Sequence, residues 1–204
     1  MPTERFVKLR PLKKEAIRNA VVEELLRTSY GEMQISNIAR KAQISRGSLY
    51  TYFHNREDLF LYALDQSWKG MLEYEQKKLL DCGGDYWEMN RRSLSHQLEV
   101  CRRIPIYRML FVSFGSKILD FHLQEDQEKE EELGDYRKWI YQHADREILM
   151  CSEQKFAEIS SRCRHLQQEF IQKHLVCGES ADEIKKQFEA SLNQIRMELG
   201  ERRA

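Results

Sequence analysis

Apolar residues recur at three- and four-residue steps along most of the chain, the spacing that lines one face of a helix. Ile17, Ala20, Val21, Leu25 and Tyr30 mark a first helix between Leu12 and Tyr30, closed by Gly31. Ile35, Ile38 and Ala39 supply one side of a short helix ending near Lys41. Ala42, Gln43 and Ile44 then make a break of the length found between the two helices of a helix-turn-helix, and Ser45 offers its hydroxyl as an N-cap. In the next helix Leu49 and Phe53, four residues apart, share the inward face. Asn55 is a good cap for a third helix, and Asp58 complements its N-terminus. Leu59, Phe60, Ala63 and Leu64 begin the buried stripe of that helix, which runs on through Trp68, Met71 and Leu72 toward Leu80.

The sequence Cys82, Gly83, Gly84, Asp85 interrupts the pattern and marks the start of a second region. Tyr86 to Arg103 reads as a helix, and Pro105 can open another at its first turn. Ile106, Tyr107, Met109, Leu110, Phe111, Phe114, Ile118, Leu119 and Phe121 are too many apolar residues for one narrow stripe, so this stretch is expected in the middle of its region. Toward the C-terminus Phe156, Ile159, Cys163, Leu166 and Phe170 repeat at helical steps, as do Ile184, Phe188, Leu192, Ile195 and Leu199 after a break at Gly178, Glu179 and Ser180. Two amphipathic helices joined this way make an antiparallel hairpin. The pattern predicts an all-α chain of about nine helices: residues 1–60 as a three-helix head, 61–82 as a connecting helix, and 83–204 as a helical body.

The polar positions of the head carry chemistry of their own. Gly47, Ser48 and Thr51 point away from Leu49 and Phe53, with Tyr50 and Tyr52 flanking that outward face. Small side chains admit close backbone approach, and hydroxyls can meet phosphate oxygens or base edges. Arg46 lies in the first turn, within reach of a guanine or a phosphate. The start of the third helix, Asn55, Arg56 and Glu57, presents backbone amides and a guanidinium to an anion.

Ile38 and Ala39, the run ISRGSLYTYF from Ile44 to Phe53, and Asn55, Arg56, Glu57, Asp58, Leu59 together resemble, in order and spacing, the N-terminal domain of the TetR-type (tetracycline repressor-like) transcriptional regulators. The resemblance covers roughly the first quarter to third of the chain. It implies that Ser45, Arg46, Gly47, Ser48, Tyr50 and Tyr52 face double-stranded DNA and that Arg56 contacts a phosphate. Ser36, Thr51 and His54 complete the candidate DNA-facing set. Three positions depart from the family pattern: Gln34 stands where a threonine commonly caps, Gln43 where the turn usually has glycine, and Arg56 where lysine is usual. Gln43 is therefore expected to adopt a left-handed conformation at a cost of about 1 kcal/mol relative to glycine.

The family implies a dimer that reads a palindromic operator and releases it when a small molecule binds the body. A pocket with aromatic walls is expected among Trp87, His96, Met109, Phe111, Phe114, Ile118 and Trp139, with the effector unknown. Cys163, Leu166, Phe170, Ile184, Phe188, Leu192, Ile195 and Leu199 are the candidate dimer interface, the alternative being that both stripes pack onto their own body. The helix from Leu59 toward Leu80 joins head to body, as a ligand-responsive regulator needs.

Charge sharpens this picture. The chain has 33 basic and 33 acidic residues, yet residues 1–60 hold 11 Lys and Arg against 7 Asp and Glu, so a basic head precedes an acidic remainder. Arg5, Lys8, Arg10, Lys13 and Lys14 form a basic arm that either adds phosphate contacts or frays into solvent. The run Glu125 to Glu132 reads as a solvated helix end or loop. Five cysteines, odd in number and without a CxxC pair, make no disulfide framework. His143 with Glu147, and His165 with Glu169, supply only two ligands each, too few for a metal site, and no nucleophile with an evident base or glycine-rich phosphate loop is legible. No cofactor, no catalysis and no membrane span are expected, and the location expected is cytoplasmic.

Overall fold

The structure, a computed structural model, describes residues 2–112 and 127–201. Among them are eleven α-helices. Eight correspond to the periodic stretches of the sequence, two are single turns, and the helix Gln127–His143 is not among the stretches read as helical. The chain through Met71, together with Arg103–Leu110, forms one compact unit; Leu72–Arg102, with the described chain from Phe111 onward, forms a second.

The N-terminal unit contains α1 (Glu4–Val7), α2 (Pro11–Leu25), α3 (Ile35–Lys41), α4 (Arg46–Tyr52) and the first part of α5 (Arg56–Asp81). Pro11 opens α2 at its first turn, where a missing N–H costs nothing. That helix stops at Leu25, earlier than the apolar pattern suggested. Thr28 turns its hydroxyl onto the Glu24 carbonyl at 2.9 Å and ends the ladder. Ile17, Val21, Leu25, Ile38, Leu49, Phe53, Leu59 and Ala63 are all at most 2% exposed and form the core of this unit.

The basic N-terminal arm is docked rather than frayed. Phe6 is 5% exposed and its ring lies 5.1 Å from Phe53 and 5.2 Å from Tyr62, which are themselves 5.3 Å apart. Thr3 fixes the segment from the other side, donating its N–H to the Tyr52 carbonyl at 2.9 Å and its hydroxyl to that of Thr51 at 2.8 Å. Nothing in the helical spacing of α2 to α5 announces this aromatic anchor, because Phe6 stands outside any longer stripe.

The second unit is built from the end of α5, α6 (Tyr86–Arg103), α8 (Gln127–His143), α9 (Arg146–Leu149), α10 (Glu153–Gln172) and α11 (Ala181–Glu201); α7 (Pro105–Val112) contributes Phe111 to it. A π-helical turn at Lys173–Cys177 ends α10, and Gly178 at φ 73° reverses the chain into α11. Glu125 and Asp126 of the charged run lie outside the described residues; the rest opens α8.

The glycine break after α5 is a tight junction. Gly83 and Gly84 have φ of 63° and 86°, the left-handed region that glycine enters freely. Gly84 also accepts a hydrogen bond from Asp145 N at 2.9 Å, and a Cβ placed on it would lie 2.8 Å from that nitrogen and 3.0 Å from the His143 carbonyl. Gly83 has nothing within 4 Å of its virtual Cβ. Gly83→Ala is thus expected to cost about 1 kcal/mol from φ alone. Gly84→Ala, which adds a backbone clash, should cost about 2 kcal/mol more. Urea unfolding of the two variants checks the order.

Candidate nucleic-acid interface

The turn between α3 and α4 is a Schellman motif. Ile44 N donates to the Ala39 carbonyl at 3.0 Å and Gln43 N to that of Arg40 at 3.2 Å, which closes the C-terminus of α3. Gln43 occupies the left-handed position at φ 53°, as its place in the sequence anticipated. Ser45 then caps α4: its Oγ accepts from Ser48 N at 2.9 Å and lies 2.8 Å from the Ser48 Oγ.

Leu49 and Phe53 are buried beneath α4, at 2% and 1% exposure. On the opposite side Ser45, Arg46, Gly47, Tyr50 and Thr51 are exposed, and Ser48 is half-buried. Ser36 on α3 and His54 after α4 are exposed as well. The Arg46 guanidinium carbon sits 5.8 Å from the Tyr50 ring centroid, and Thr51 bonds back to the Ser48 carbonyl at 2.7 Å. A Cβ on Gly47 would meet only Ser45 Oγ, at 3.9 Å, so nothing within the chain demands glycine there. The outer surface of α4 is small, hydroxylated and singly cationic.

Two candidates sit differently from the sequence expectation. Tyr52 is 9% exposed, its ring edge-on to Phe6 at 6.3 Å, so it belongs to the core beneath the docked arm and not to the outward face. Three residues after Leu49, it shares that residue's buried side of α4, and Phe6 of the arm lies against it.

Arg56 is the second, and it serves the fold of the unit itself. Its Nη2 donates to the carbonyls of Gly31 and Met33, each at 2.9 Å, and to that of Tyr30, and its guanidinium carbon lies 5.2 Å from the Tyr30 ring centroid. Those bonds tie the α2–α3 loop to the start of α5 through one of the two terminal nitrogens of the guanidinium. The Arg56 Nε is buried without a hydrogen-bond partner.

Glu24 went unrecognised in the sequence. It is 4% exposed, and its Oε1 accepts from Gln34 N at 3.3 Å and Asn37 Nδ2 at 3.2 Å. Lys41 approaches its Oε2 at 3.8 Å and Glu23 at 3.2 Å. Gln34 makes no side-chain cap of its own; the distant carboxylate instead accepts the N–H of the cap residue itself and places a negative charge at the N-terminus of α3. The asparagine at position 37 was its one sequence signal. Asn55 and Asp58 cap α5 as expected: Asp58 N donates to Asn55 Oδ1 at 2.7 Å, and His54 N to Asp58 Oδ2 at 3.3 Å.

In the second unit the candidate pocket residues occupy separate settings. Trp87 is fully enclosed, its indole N–H without a hydrogen-bond partner and its ring edge-on to Tyr86 at 5.5 Å. His96 stacks on Tyr74 at 4.0 Å, and burial lowers its pKa below the usual histidine value. Trp139 is half-buried and stacks on His143 of its own helix at 3.9 Å. Phe111 is buried at 3% exposure. Phe114, Ile118, Leu119 and Phe121 lie outside the described residues, as does the side chain of Met109.

What this unit does gather is polar. Glu75, 2% exposed, accepts hydrogen bonds from Ser93 at 2.8 Å, Gln97 at 3.3 Å, Tyr136 at 2.5 Å and Arg164 at 3.5 Å. Gln167 reaches Asn90 Oδ1 at 3.1 Å alongside. Burial and the neighbouring carboxylate push the Tyr136 phenol well above its ordinary pKa. The cavity between these groups measures about 10 Å³, room for a single water. Cys101 and Cys163 are buried thiols pushed up to about 12 by desolvation, which makes them inert.

The C-terminal stripes also divide. Cys163, Phe170, Ile184, Phe188 and Leu192 are at most 4% exposed within a single chain, and Phe170 meets Phe188 edge-on at 5.9 Å. Phe170 and Phe188 thus face one another between α10 and α11, while Cys163 lies against Tyr86 of α6. Ile195 is 6% exposed, while Leu166 and Leu199 are half-buried at the margin. Leu166 and Ile195 line an open groove of about 510 Å³ with Ser161, Arg162, His165, Ser191 and Gln194. Beside it Arg162 pairs with Glu198 through contacts of 2.7 and 3.3 Å.

Residues 17–63 match the family described as bacterial regulatory proteins, tetR family. Solved structures share the whole fold at low identity. A TetR transcriptional regulator from Rhodococcus sp. RHA1 is 16% identical over 92% of this chain and 98% of its own, with a TM-score of 0.57. The TetR family repressor AlkX from Dietzia sp. strain DQ12-45-1b, implicated in biodegradation of n-alkanes, is 13% identical over 91% and 97%, at 0.52. A putative TetR-family transcriptional regulator from Mesorhizobium loti MAFF303099 is 14% identical over 90% and 95%, at 0.50.

Removing charge at Arg56 and at Arg46 should therefore have different signatures. Arg56→Met is expected to lower stability by about 1–3 kcal/mol, from the lost charged hydrogen bonds, and so to shift the unfolding midpoint. Arg46→Ala should leave the unfolding midpoint in place and reduce the salt slope by about one. Thermal melts and DNA titrations at several salt concentrations separate the two.

Proposed function

We propose that this chain, whose residues 17–63 are a TetR-family N-terminal domain within the TetR-type all-helical fold, is a cytoplasmic, sequence-specific DNA-binding transcriptional regulator that acts as a homodimer. The observation that carries the reading is the exposed, hydroxyl-rich face of α4, with Ser45, Arg46, Gly47, Tyr50 and Thr51 held outward by a capped turn over buried Leu49 and Phe53. A surface of this kind gives the backbone access to a major groove and offers donors and acceptors to base edges and phosphates.

One α4 helix covers too few base pairs for tight binding. Two copies related by a two-fold axis read a palindromic operator with half-sites about 34–36 Å apart. The groove lined by Leu166 and Ile195 on α10 and α11 is the face we assign to the second copy, completing a four-helix arrangement.

Release of the operator by a small molecule in the second unit, with repression as the output, is the regulatory half of the proposal. Because the cavity beside Glu75 holds about 10 Å³, an effector acting there has to open the cluster on entry. That closed cluster equally favours a second reading, a ligand-independent DNA-binding dimer. A thermal-shift screen followed by DNA release separates them: ligands that both stabilise the protein and free the operator support regulation, and binding blind to every stabilising ligand supports the second reading.

Selection of bound DNA from a random pool is expected to return a palindrome. Leu166→Glu should leave the fold intact, shift sedimentation to the monomer and weaken binding to the selected site by roughly tenfold or more. A monomeric wild-type protein at micromolar concentration, or a selected pool without symmetry, contradicts the dimer.

A further inference from the structure

Gln43 sits at the left-handed position of the α3–α4 turn, where glycine is the unstrained choice, and φ 53° is one of two positive values among the described non-glycine residues. Its side chain is exposed, and no hydrogen bond joins its carboxamide to any described residue. The turn itself is closed by backbone bonds alone, from Gln43 N to the Arg40 carbonyl and from Ile44 N to that of Ala39, which glycine would make as well. Within the isolated chain, then, a residue with a Cβ is strained at this position and its side chain returns no hydrogen bond.

The surroundings of that side chain indicate where a return contact comes from. Two and three residues further on, Ser45 and Arg46 are exposed on the face assigned to DNA, and Arg40 at the end of α3 is exposed as well. No carboxylate appears between Gln34 and Phe53, so nothing along this stretch repels an approaching phosphate. A carboxamide carries both a donor and an acceptor, which allows it to donate to a phosphate oxygen or to pair with both N6 and N7 of adenine.

We infer that Gln43 is a DNA contact, a turn residue whose carboxamide hydrogen-bonds the duplex beside the first turn of α4 and compensates there for its left-handed backbone. The inference rests on the DNA-binding reading above and extends it to a residue outside the outward face of α4.

The decisive variant is Gln43→Gly, because relief of strain and loss of contact move two readouts in opposite directions. Its unfolding midpoint should hold or rise, while affinity for the DNA selected by the wild-type protein falls about fivefold to tenfold. Gln43→Asn, which tolerates the left-handed region but has a shorter reach, should keep the midpoint and lose affinity as well. Repeating the random-pool selection with Gln43→Gly then identifies the partner atom. Relaxed preference at one adenine of each half-site assigns a base contact; an unchanged consensus bound uniformly more weakly assigns a phosphate. Wild-type affinity in Gln43→Gly overturns the inference alone, provided Arg46→Ala still weakens binding. A wild-type protein that selects no DNA overturns the reading beneath it.

Discussion

The N-terminal unit depends on one reversal of the chain, at Ala42 to Ser45. Without it, α3 would run on in one line and Leu49 and Phe53 would have no core to enter. The Schellman bonds end α3, the left-handed residue redirects the backbone, and the Ser45 hydroxyl starts α4 within two residues. Each device satisfies backbone groups that a helix terminus would otherwise leave open. Because the apolar side of α4 is fixed by Leu49 and Phe53, its other side is fixed too: exposure of Ser45, Arg46 and Tyr50 follows from burial of two residues four positions apart.

Much of this was legible from spacing. The helix limits at Tyr86, Arg103 and Pro105, the left-handed Gln43 and the Ser45 and Asn55 caps are all local properties, written within a few residues of where they act. The misjudged residues are those whose surroundings come from far along the chain. Tyr52 is covered by Phe6, 46 positions away, and Arg56 is bound to carbonyls 23 to 26 positions before it. Glu24 caps a helix ten residues downstream. Periodicity assigns a side of a helix, and it does not say what lies against that side. The C-terminal stripes show the same limit: two apolar faces that match one another read identically whether the partner is the neighbouring helix or a second copy, and within the chain Phe170 meets Phe188.

In the second unit the described aromatic candidates are divided among separate ring pairs. Trp87, His96 and Trp139 looked like pocket walls because large rings beside an ionisable group often line one. Each ring has a partner of its own, Tyr86, Tyr74 and His143 respectively. The polar residues that do converge, Glu75, Ser93, Gln97, Tyr136 and Arg164, come from four helices and share no sequence motif.

That convergence limits how the second unit can pack. A buried carboxylate costs several kcal/mol of lost hydration, recovered only when its lone pairs are filled. Glu75 fills its own from α6, α8 and α10 at once, with two donors one helical turn apart on α6. Apolar contacts along α5 would tolerate a slide by one turn, since a stripe of leucines matches itself at the next repeat. The Glu75 cluster does not tolerate it, because a shift of about 5.4 Å would strand the carboxylate among apolar neighbours. Register in this unit is therefore specified by a polar group inside an apolar core, and the apolar contacts supply the stability that offsets burying it.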